Sequence, residues 1–302
     1  MQINGSTFKN KSLASDTLVL FAGIMWGILG IFVKALREAG FSSVQISALR
    51  WIFSALITVF AVIAYDRKKM IIKLRDIWIF AFIGIFSSLA MSTFYFLCMG
   101  LTSIAVSDVL MYTSPIWVMI FSALIFKEKI TTRKFICIFL SFCGCAFVSG
   151  ILNGYGRYSF WGIVFGLCSG IAYSLYGIIG KIALKKYDKI TLTVYNVIFA
   201  AIGAVFITDI KGAFGLIADN LSCLKYISLL AIFGTVLPFF LYTFALKYTR
   251  PSRAAVICCI EPVAAAFVSI FIAKEQLDAF QLAGIAIIIL SIILLQSGKE
   301  NS

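Results

Sequence analysis

Long apolar runs separated by short polar connections make up almost the whole chain. Each run is close to the ~20 residues that an α-helix needs to cross the hydrocarbon core of a membrane. The pattern predicts ten membrane spans, at 17–34, 44–65, 77–100, 104–126, 134–151, 160–183, 190–208, 224–247, 254–273 and 280–296. The connections leave no room for an extramembrane domain, so we expect an all-α integral membrane protein.

Basic residues are distributed unevenly over the connections between these runs. Most of the 26 lysines and arginines fall in alternate connections, together with the N-terminal segment. Because cytoplasmic loops carry an excess of basic residues, this bias predicts that segments 1–16 and 297–302 are cytoplasmic tails. The net charge of +13 is therefore interpreted as a topology signal, and no nucleic-acid partner is expected.

The composition argues against an enzyme or a metalloprotein. The chain is 62% hydrophobic and only 13% charged, and it contains no histidine. Metal sites and hydrolytic centres need converging histidines, carboxylates or thiolates, and no such motif is present. We expect no metal, no cofactor and no enzymatic activity, and we read the first apolar run as a retained span, not a cleaved signal peptide.

The second half of the sequence repeats the first. A shift of 147 residues superimposes Tyr95 on Tyr242, Pro115 on Pro262 and Trp26 on Tyr173. The repeat divides the chain into two units, 17–151 and 160–296, joined by a linker at 152–159. Each unit has five predicted spans, and an odd number forces the second copy into the membrane in the opposite sense, so we predict two inverted five-helix repeats.

Several short motifs are distributed over both units. They are Trp26-Gly27, Arg50-Trp51, Pro115 followed by Lys127-Glu128, and Glu261-Pro262 followed by Lys274-Glu275 and Gly284. In their order and spacing the chain resembles the ten-helix EamA-type branch of the drug/metabolite transporter superfamily. When the two units are aligned, Ser114 occupies the position of Glu261 and Cys137 that of Gly284, so the central cavity need not be symmetric.

Polar residues deep in apolar spans are the candidates for a substrate site. Glu261 is the most informative of them, because burying a carboxylate at this depth costs free energy unless it is protonated, paired or facing water. It is read either as a proton or cation acceptor or as a structural hydrogen-bond acceptor. Arg50 is read either as an anion contact or as a structural group that reaches the interface or pairs with Asp108. The remaining cavity candidates are Trp26, Tyr95, Tyr112, Ser114, Tyr173, Tyr176, Asn196 and Tyr242.

Three prolines fall near the middle of their spans, where a proline frees a backbone carbonyl. Pro115, Pro238 and Pro262 are candidate helix breaks, with ordinary packing kinks as the alternative. The pairs Lys127-Glu128 and Lys274-Glu275 are read as solvated caps or as gating ion pairs. Gly23 and Gly27, and the series Gly162, Gly166 and Gly170, are interpreted as sites of close helix packing.

The resemblance implies a secondary transporter in the cell membrane, with the short loops typical of a bacterial inner membrane. It implies export of amino acids or related small metabolites by alternating access. One buried acid, one buried base and an aromatic cavity favour an amphipathic amine or zwitterion, with proton coupling through Glu261. A sensor or a lipid-translocating protein with the same fold stays open as the alternative.

Overall fold

The computed structural model describes residues 5–151, 159–268, 270–271 and 277–297, with side chains from residue 14 onward. The helices of the first repeat are α1 (Gly5–Gly27 and Gly30–Glu38), α2 (Ser43–Tyr65), α3 (Ile77–Ala81, Phe82–Leu89 and Ala90–Leu101), α4 (Ile104–Met111 and Ser114–Phe126) and α5 (Thr132–Val148). Those of the second are α6 (Phe160–Ala183), α7 (Lys189–Ile207), α8 (Cys223–Ala231, Ile232–Val236 and Leu237–Leu246), α9 (Pro251–Cys258 and Ile260–Val268) and α10 (Ala279–Gln296).

The ten-helix prediction is confirmed. Within the described part of the chain, nine helices have the length and hydropathy to cross a membrane. The tenth, α5, has 17 residues and packs along the whole of α10. The protein is therefore a multi-pass membrane protein of ten helices in two five-helix repeats.

Polar contacts show which helix ends lie together. Arg253 at the start of α9 binds Asp16 in α1 and the carbonyl of Leu295 in α10. Glu128 after α4 accepts hydrogen bonds from Ser252 of α9 and from Lys134 of α5. The remaining ends are joined there by Lys69–Asp188, Asp76–Lys186 and the bond from Lys181 to the carbonyl of Leu246. The helices thus alternate in direction, and we call this end, where both termini lie, the basic end.

The helix packing has the approximate twofold relation expected of an inverted repeat. Helix α1 packs on α8 and α9, as α6 packs on α3 and α4. Equivalent helices pack against each other in the pairs α2–α7, α4–α9 and α5–α10. Each repeat therefore contributes helices to the surroundings of the other, and neither forms a separate lobe.

Glycines allow the closest of these approaches. A Cβ atom at Gly27 would lie 2.6 Å from the Cβ of Ala264 in α9. A Cβ at Gly170 would lie 2.9 Å from the carbonyl oxygen of Leu110 in α4. Both distances are shorter than real carbon contacts, so these helix pairs need glycine at the crossing.

Five of the described helices are irregular near their middle, and one of them is α3, whose Phe82–Leu89 segment is π-helical. Helix α4 is interrupted at residues 112–113, before Pro115, and α9 at Cys259, before Pro262. In α8 a π-helical segment ends just before Pro238. These last three irregularities lie on the N-terminal side of each proline, where the ring displaces the carbonyl four residues back. Helix α1 is also interrupted, at residues 28–29, where Gly27 and Gly30 replace proline as the weak points.

One helix lies outside the predicted spans. Ile210–Asp219 follows α7, and the side chain of Asp209 caps its first turn through the amide of Gly212. Its buried residues Ala213 and Ile217 pack with Leu36 of α1 and Leu49 of α2. This amphipathic helix therefore covers the end of the bundle opposite the basic end.

Candidate functional site

An aromatic cluster occupies the middle of the bundle between the two repeats. The ring of Trp26 lies 6.3 Å from Tyr173, 5.4 Å from Phe239 and 5.8 Å from Tyr242, measured between centroids. Tyr176 completes the cluster, with its ring 4.9 Å from that of Phe239. The four aromatic residues that the sequence predicted here come together although they are contributed by α1, α6 and α8.

The cluster surrounds a small cavity. Ser87, Ser88 and Met91 of α3 form its remaining wall. The hydroxyl of Ser88 donates to Asn196 Oδ1 at 2.7 Å, and Asn196 Nδ2 is buried without a partner. Asn196 therefore lies behind the wall and acts on the cavity through Ser88.

On the basic side of the cluster, hydroxyl groups close the space. The hydroxyls of Tyr176 and Thr243 lie 2.6 Å apart, and that of Thr193 lies 3.2 Å from Thr243. Thr193 and Thr243 are fully buried. This layer joins α6, α7 and α8 on the basic side of the cluster.

On the other side of the cluster lies a charged group. Glu261 in α9 has Arg50, Asp108 and Tyr173 as its electrostatic and hydrogen-bonding neighbours. The hydroxyl of Tyr95 donates to Asp108 Oδ1 at 2.8 Å. Asp108 is thus not the partner of Arg50 that the sequence suggested, because the tyrosine takes that place.

Arg50 is held mainly by an aromatic ring. Its guanidinium carbon lies 4.9 Å above the ring of Trp51, and its Nε atom has no hydrogen-bond partner. Trp51 in turn contacts Phe239 of the aromatic cluster at 5.7 Å. A guanidinium that keeps unused donors close to Glu261 is free to bind an additional acceptor.

Arg50, Tyr95, Asp108, Tyr173 and Glu261 all retain partial solvent exposure. They lie at least four residues inside their helices, and the charged members face one another between helices. The described helices therefore do not enclose the charged group completely.

The packing of the helices shows on which side the charged group is open. Helices α3, α4 and α6 form one group around it, and α1, α8 and α9 form the other. The groups pack closely near the basic end, where Pro251–Cys258 contacts α4 and α6 and Leu237–Leu246 contacts α6. In the other half, Ile104–Met111 packs on α3, α5 and α6, and Ile260–Val268 on α1, α5 and α10. The bundle is therefore closed at the basic end, and the charged group faces the opposite end.

The structure places the remaining candidates outside the charged group. Ser114 is buried at the start of the second α4 segment, just after the helix break. Tyr112 lies at that break and has Glu261 and Asp108 among its electrostatic neighbours. Lys127 is the exposed C-cap residue of α4, as the solvated-cap reading expects, whereas Glu128 is bonded to Ser252 of the second repeat. The pair Lys274-Glu275 lies outside the described residues.

Sequence reasoning missed Ser87, Ser88 and Phe239 as cavity residues, and it assigned Asp108 only a structural role. The serines and the phenylalanine are ordinary in membrane helices and carry no signal alone. Asp108 did carry one, because it is a carboxylate four residues into an apolar run, as unusual there as Glu261 is in its own span.

Comparisons with known proteins agree with the fold. The model of the EamA-like transporter family matches residues 13–150 and again residues 160–297. An uncharacterized transporter of Archaeoglobus fulgidus is 25% identical over 92% of this chain and 95% of its own length. An uncharacterized transporter of Clostridium kluyveri is 26% identical over 94% of this chain and 93% of its own. A crystal structure with 14% identity superimposes with a TM-score of 0.75, covering 93% of this chain and 95% of the other, which shows the shared fold.

Proposed function

Since this chain belongs to the EamA-like transporter family, we propose that it is a secondary transporter that exports amino acids or related small metabolites by alternating access. The observation that carries this proposal is the polar and aromatic site between the repeats, closed towards the basic end by packed helices. A site that is reachable from one end and sealed from the other is the arrangement that alternating access requires.

The side chains of the site suit a zwitterion or an amphipathic amine. Arg50 presents unused donors to a carboxylate, while Glu261 and Asp108 present acceptors to an ammonium group. Trp26, Tyr173 and the neighbouring rings offer apolar surface and aromatic faces, which attract cations as well as side-chain carbons. A neutral sugar would leave the charges of the site without partners, which is costly away from bulk water.

We place the basic end in the cytoplasm and the protein in the cell membrane, as in a bacterial inner membrane. The distribution of Lys and Arg supports this orientation through the positive-inside rule. With this orientation the structure corresponds to an outward-open state. Export then requires a second state in which the contacts at the basic end separate and the site opens to the cytoplasm.

Glu261 is the residue that we assign to proton coupling. It lies on α9 beside the helix break at Cys259, and the breaks are where backbone groups and side chains become available to ligands in such transporters. A carboxylate that binds either a proton or the substrate ammonium exchanges one for the other in each cycle. The pH gradient would then drive export.

Counterflow into proteoliposomes tests the proposal. Vesicles loaded with a mixed pool of zwitterionic amino acids and primary amines should accumulate labelled members of the same classes, and neutral sugars should not compete. Glu261→Gln should lower this uptake by roughly tenfold, the effect of losing one charged hydrogen bond of about 1.5–3 kcal/mol. It should also abolish the response to a pH gradient.

The matched control is Lys68→Gln, which removes an exposed charge at the basic end, away from the site. This variant should transport like the unmodified protein. Transport that is equal for sugars and amino acids, or that keeps its pH response in Glu261→Gln, would contradict the assignment. Failure of every compound in the unmodified protein would favour the sensor or lipid-translocating alternative.

A further inference from the structure

The start of α9 is held at the basic end by a buried ion pair between the two repeats. Arg253 Nε lies 3.0 Å from both carboxylate oxygens of Asp16, and its Nη2 lies 2.6 Å from Oδ2. Arg253 is 8% exposed and Asp16 only 1%. Such a pair is held away from water, where removal of one partner leaves the other charge uncompensated.

The residue before Arg253 is held by a second carboxylate of the first repeat. Ser252 donates its hydroxyl hydrogen to Glu128 Oε2 at 2.6 Å, and the same oxygen accepts from Lys134 at 3.1 Å. The side chain of Glu128 is 11% exposed. Two consecutive residues of α9 are therefore fixed by two carboxylates of the other repeat, one in α1 and one in the connection after α4. We call Asp16, Glu128, Ser252 and Arg253 the basic-end clamp.

The repeat symmetry does not reproduce this ion pair at the opposite end. The equivalents of Asp16 and Arg253 are Ile163 in α6 and Val106 in α4, which are both apolar. At that end α6 meets α4 through Gly166, whose Cβ atom would lie 2.7 Å from the Cβ of Leu110. Among the described residues, α1 and α9 are thus joined by charge at the basic end, whereas the equivalent helices α6 and α4 meet through apolar packing at the opposite end.

The clamp and the candidate site share one interrupted helix. Arg253 lies eight residues before Glu261, roughly 12 Å along a helix axis, and the break at Cys259 lies between them. Helix α1, which carries Asp16, packs through Gly23 on Cys258 and Ile260 at this break. A change at Glu261 can therefore be transmitted to the first segment of α9 through the break.

We propose that the basic-end clamp is the gate on this side of the membrane. Its separation releases Pro251–Cys258 from α1 and from the connection after α4, so that this segment moves about the break at Cys259 and opens the site towards the basic end. The inference rests on the proposed function only for the direction of transport, since the gate would exist whichever compound is carried. Because the Asp16–Arg253 pair has no ionic equivalent at the opposite end, weakening it shifts the population towards the state that is open at the basic end.

Hydrogen–deuterium exchange on the full chain in nanodiscs tests the gate without any substrate. The variants are Asp16→Asn and Glu128→Gln, with Lys68→Gln as the control that removes a charge from the same end outside the clamp. Peptides covering 250–258 should exchange about tenfold faster in the two clamp variants, as opening becomes more frequent. Peptides covering 104–111 should exchange more slowly, because the opposite end closes when the basic end opens.

The opposite responses of the two ends separate a gate from a purely structural ion pair. Faster exchange at both ends, as in general destabilisation, would overturn the proposal, and so would unchanged exchange at residues 250–258. Arg253→Lys retains the charge with fewer donors and should give a smaller change of the same pattern. A gate found in a protein that transports no tested compound would leave this inference standing and refute only the proposed substrates.

Discussion

The two ends of this bundle are built on the same backbone plan but are held together by different chemistry. At the basic end the repeats are joined by ion pairs and hydrogen bonds, such as Asp16 with Arg253 and Tyr195 with the carbonyl of Met70. At the opposite end, α6 meets α3 and α4 through glycines and apolar side chains. A duplicated fold therefore does not imply a symmetric energy landscape, because side chains decide which end closes more firmly.

The difference also fits the lipid environment. The adjacent water and headgroups solvate charged groups at the basic end, whereas helix packing in hydrocarbon depends on close backbone approach. Tyr187 and Asp188 illustrate the first case in the connection before α7. Partial burial and the hydrogen bond to Asp76 raise the pKa of the Tyr187 hydroxyl. Partial burial also acts to raise the pKa of Asp188, but the Ile190 amide and Lys69 outweigh it and lower that pKa.

The largest effect on stability is expected at the basic-end clamp. Arg253→Ala leaves the Asp16 carboxylate buried without its partner and should lower the free energy of unfolding by about 3–5 kcal/mol. In the double variant that also carries Asp16→Ala, the free energy of unfolding should fall by less than the sum of the decreases in the two single variants. Unfolding by denaturant in mixed micelles measures both, and additive losses would show that the two residues do not interact.

An intermediate effect is expected from packing at the opposite end. Gly166→Ala places a Cβ against Leu110 and Cys98, and overpacking of this kind costs about 1–3 kcal/mol. Gly100→Ala is the matched control, since a Cβ there has no atom within 4 Å, and it should gain up to about 1 kcal/mol from helix propensity. Equal thermal transition temperatures for the two variants would show that α6 does not depend on this glycine.

The smallest effect is expected for the exposed ion pair between Lys69 and Asp188, whose side chains are both 32% exposed. Because the folded pKa of Asp188 is lowered, its contribution is present above the unfolded pKa and is lost as the pH falls through the folded value. Solvent screening keeps this contribution within about 0–1 kcal/mol. Lys69→Gln should reduce the loss of stability on acidification slightly, as measured by unfolding between neutral and acidic pH. An unchanged pH profile would show that the pair contributes nothing.

The hydrophobic pattern predicted most of the architecture because membrane spans depend on length and hydropathy alone. The predicted span 104–126 coincides with α4, and 160–183 with α6. The amphipathic helix Ile210–Asp219 was missed because it is too short to span the membrane and its apolar face packs on α1, α2 and α8.

The site was predictable only in part, for a related reason. Trp26 and Tyr173 could be paired through the repeat, since equivalent positions lie near the same axis. Asp16 and Arg253 are far apart in sequence and have no charged equivalents in the other repeat, so nothing in the pattern joined them. Their partnership follows from the alternation of helix direction, which brings the starts of α1 and α9 to the same end.

Thiol labelling from each side of the membrane tests most directly the claim that the bundle is closed at the basic end and open at the other. In a cysteine-free full chain, Asp108→Cys should react with an impermeant reagent added from the side opposite the basic end. Thr243→Cys should stay protected from the basic side until Asp16→Asn is added to the same chain. Labelling of Thr243→Cys from the basic side with the clamp intact, together with protection of Asp108→Cys, would contradict the account.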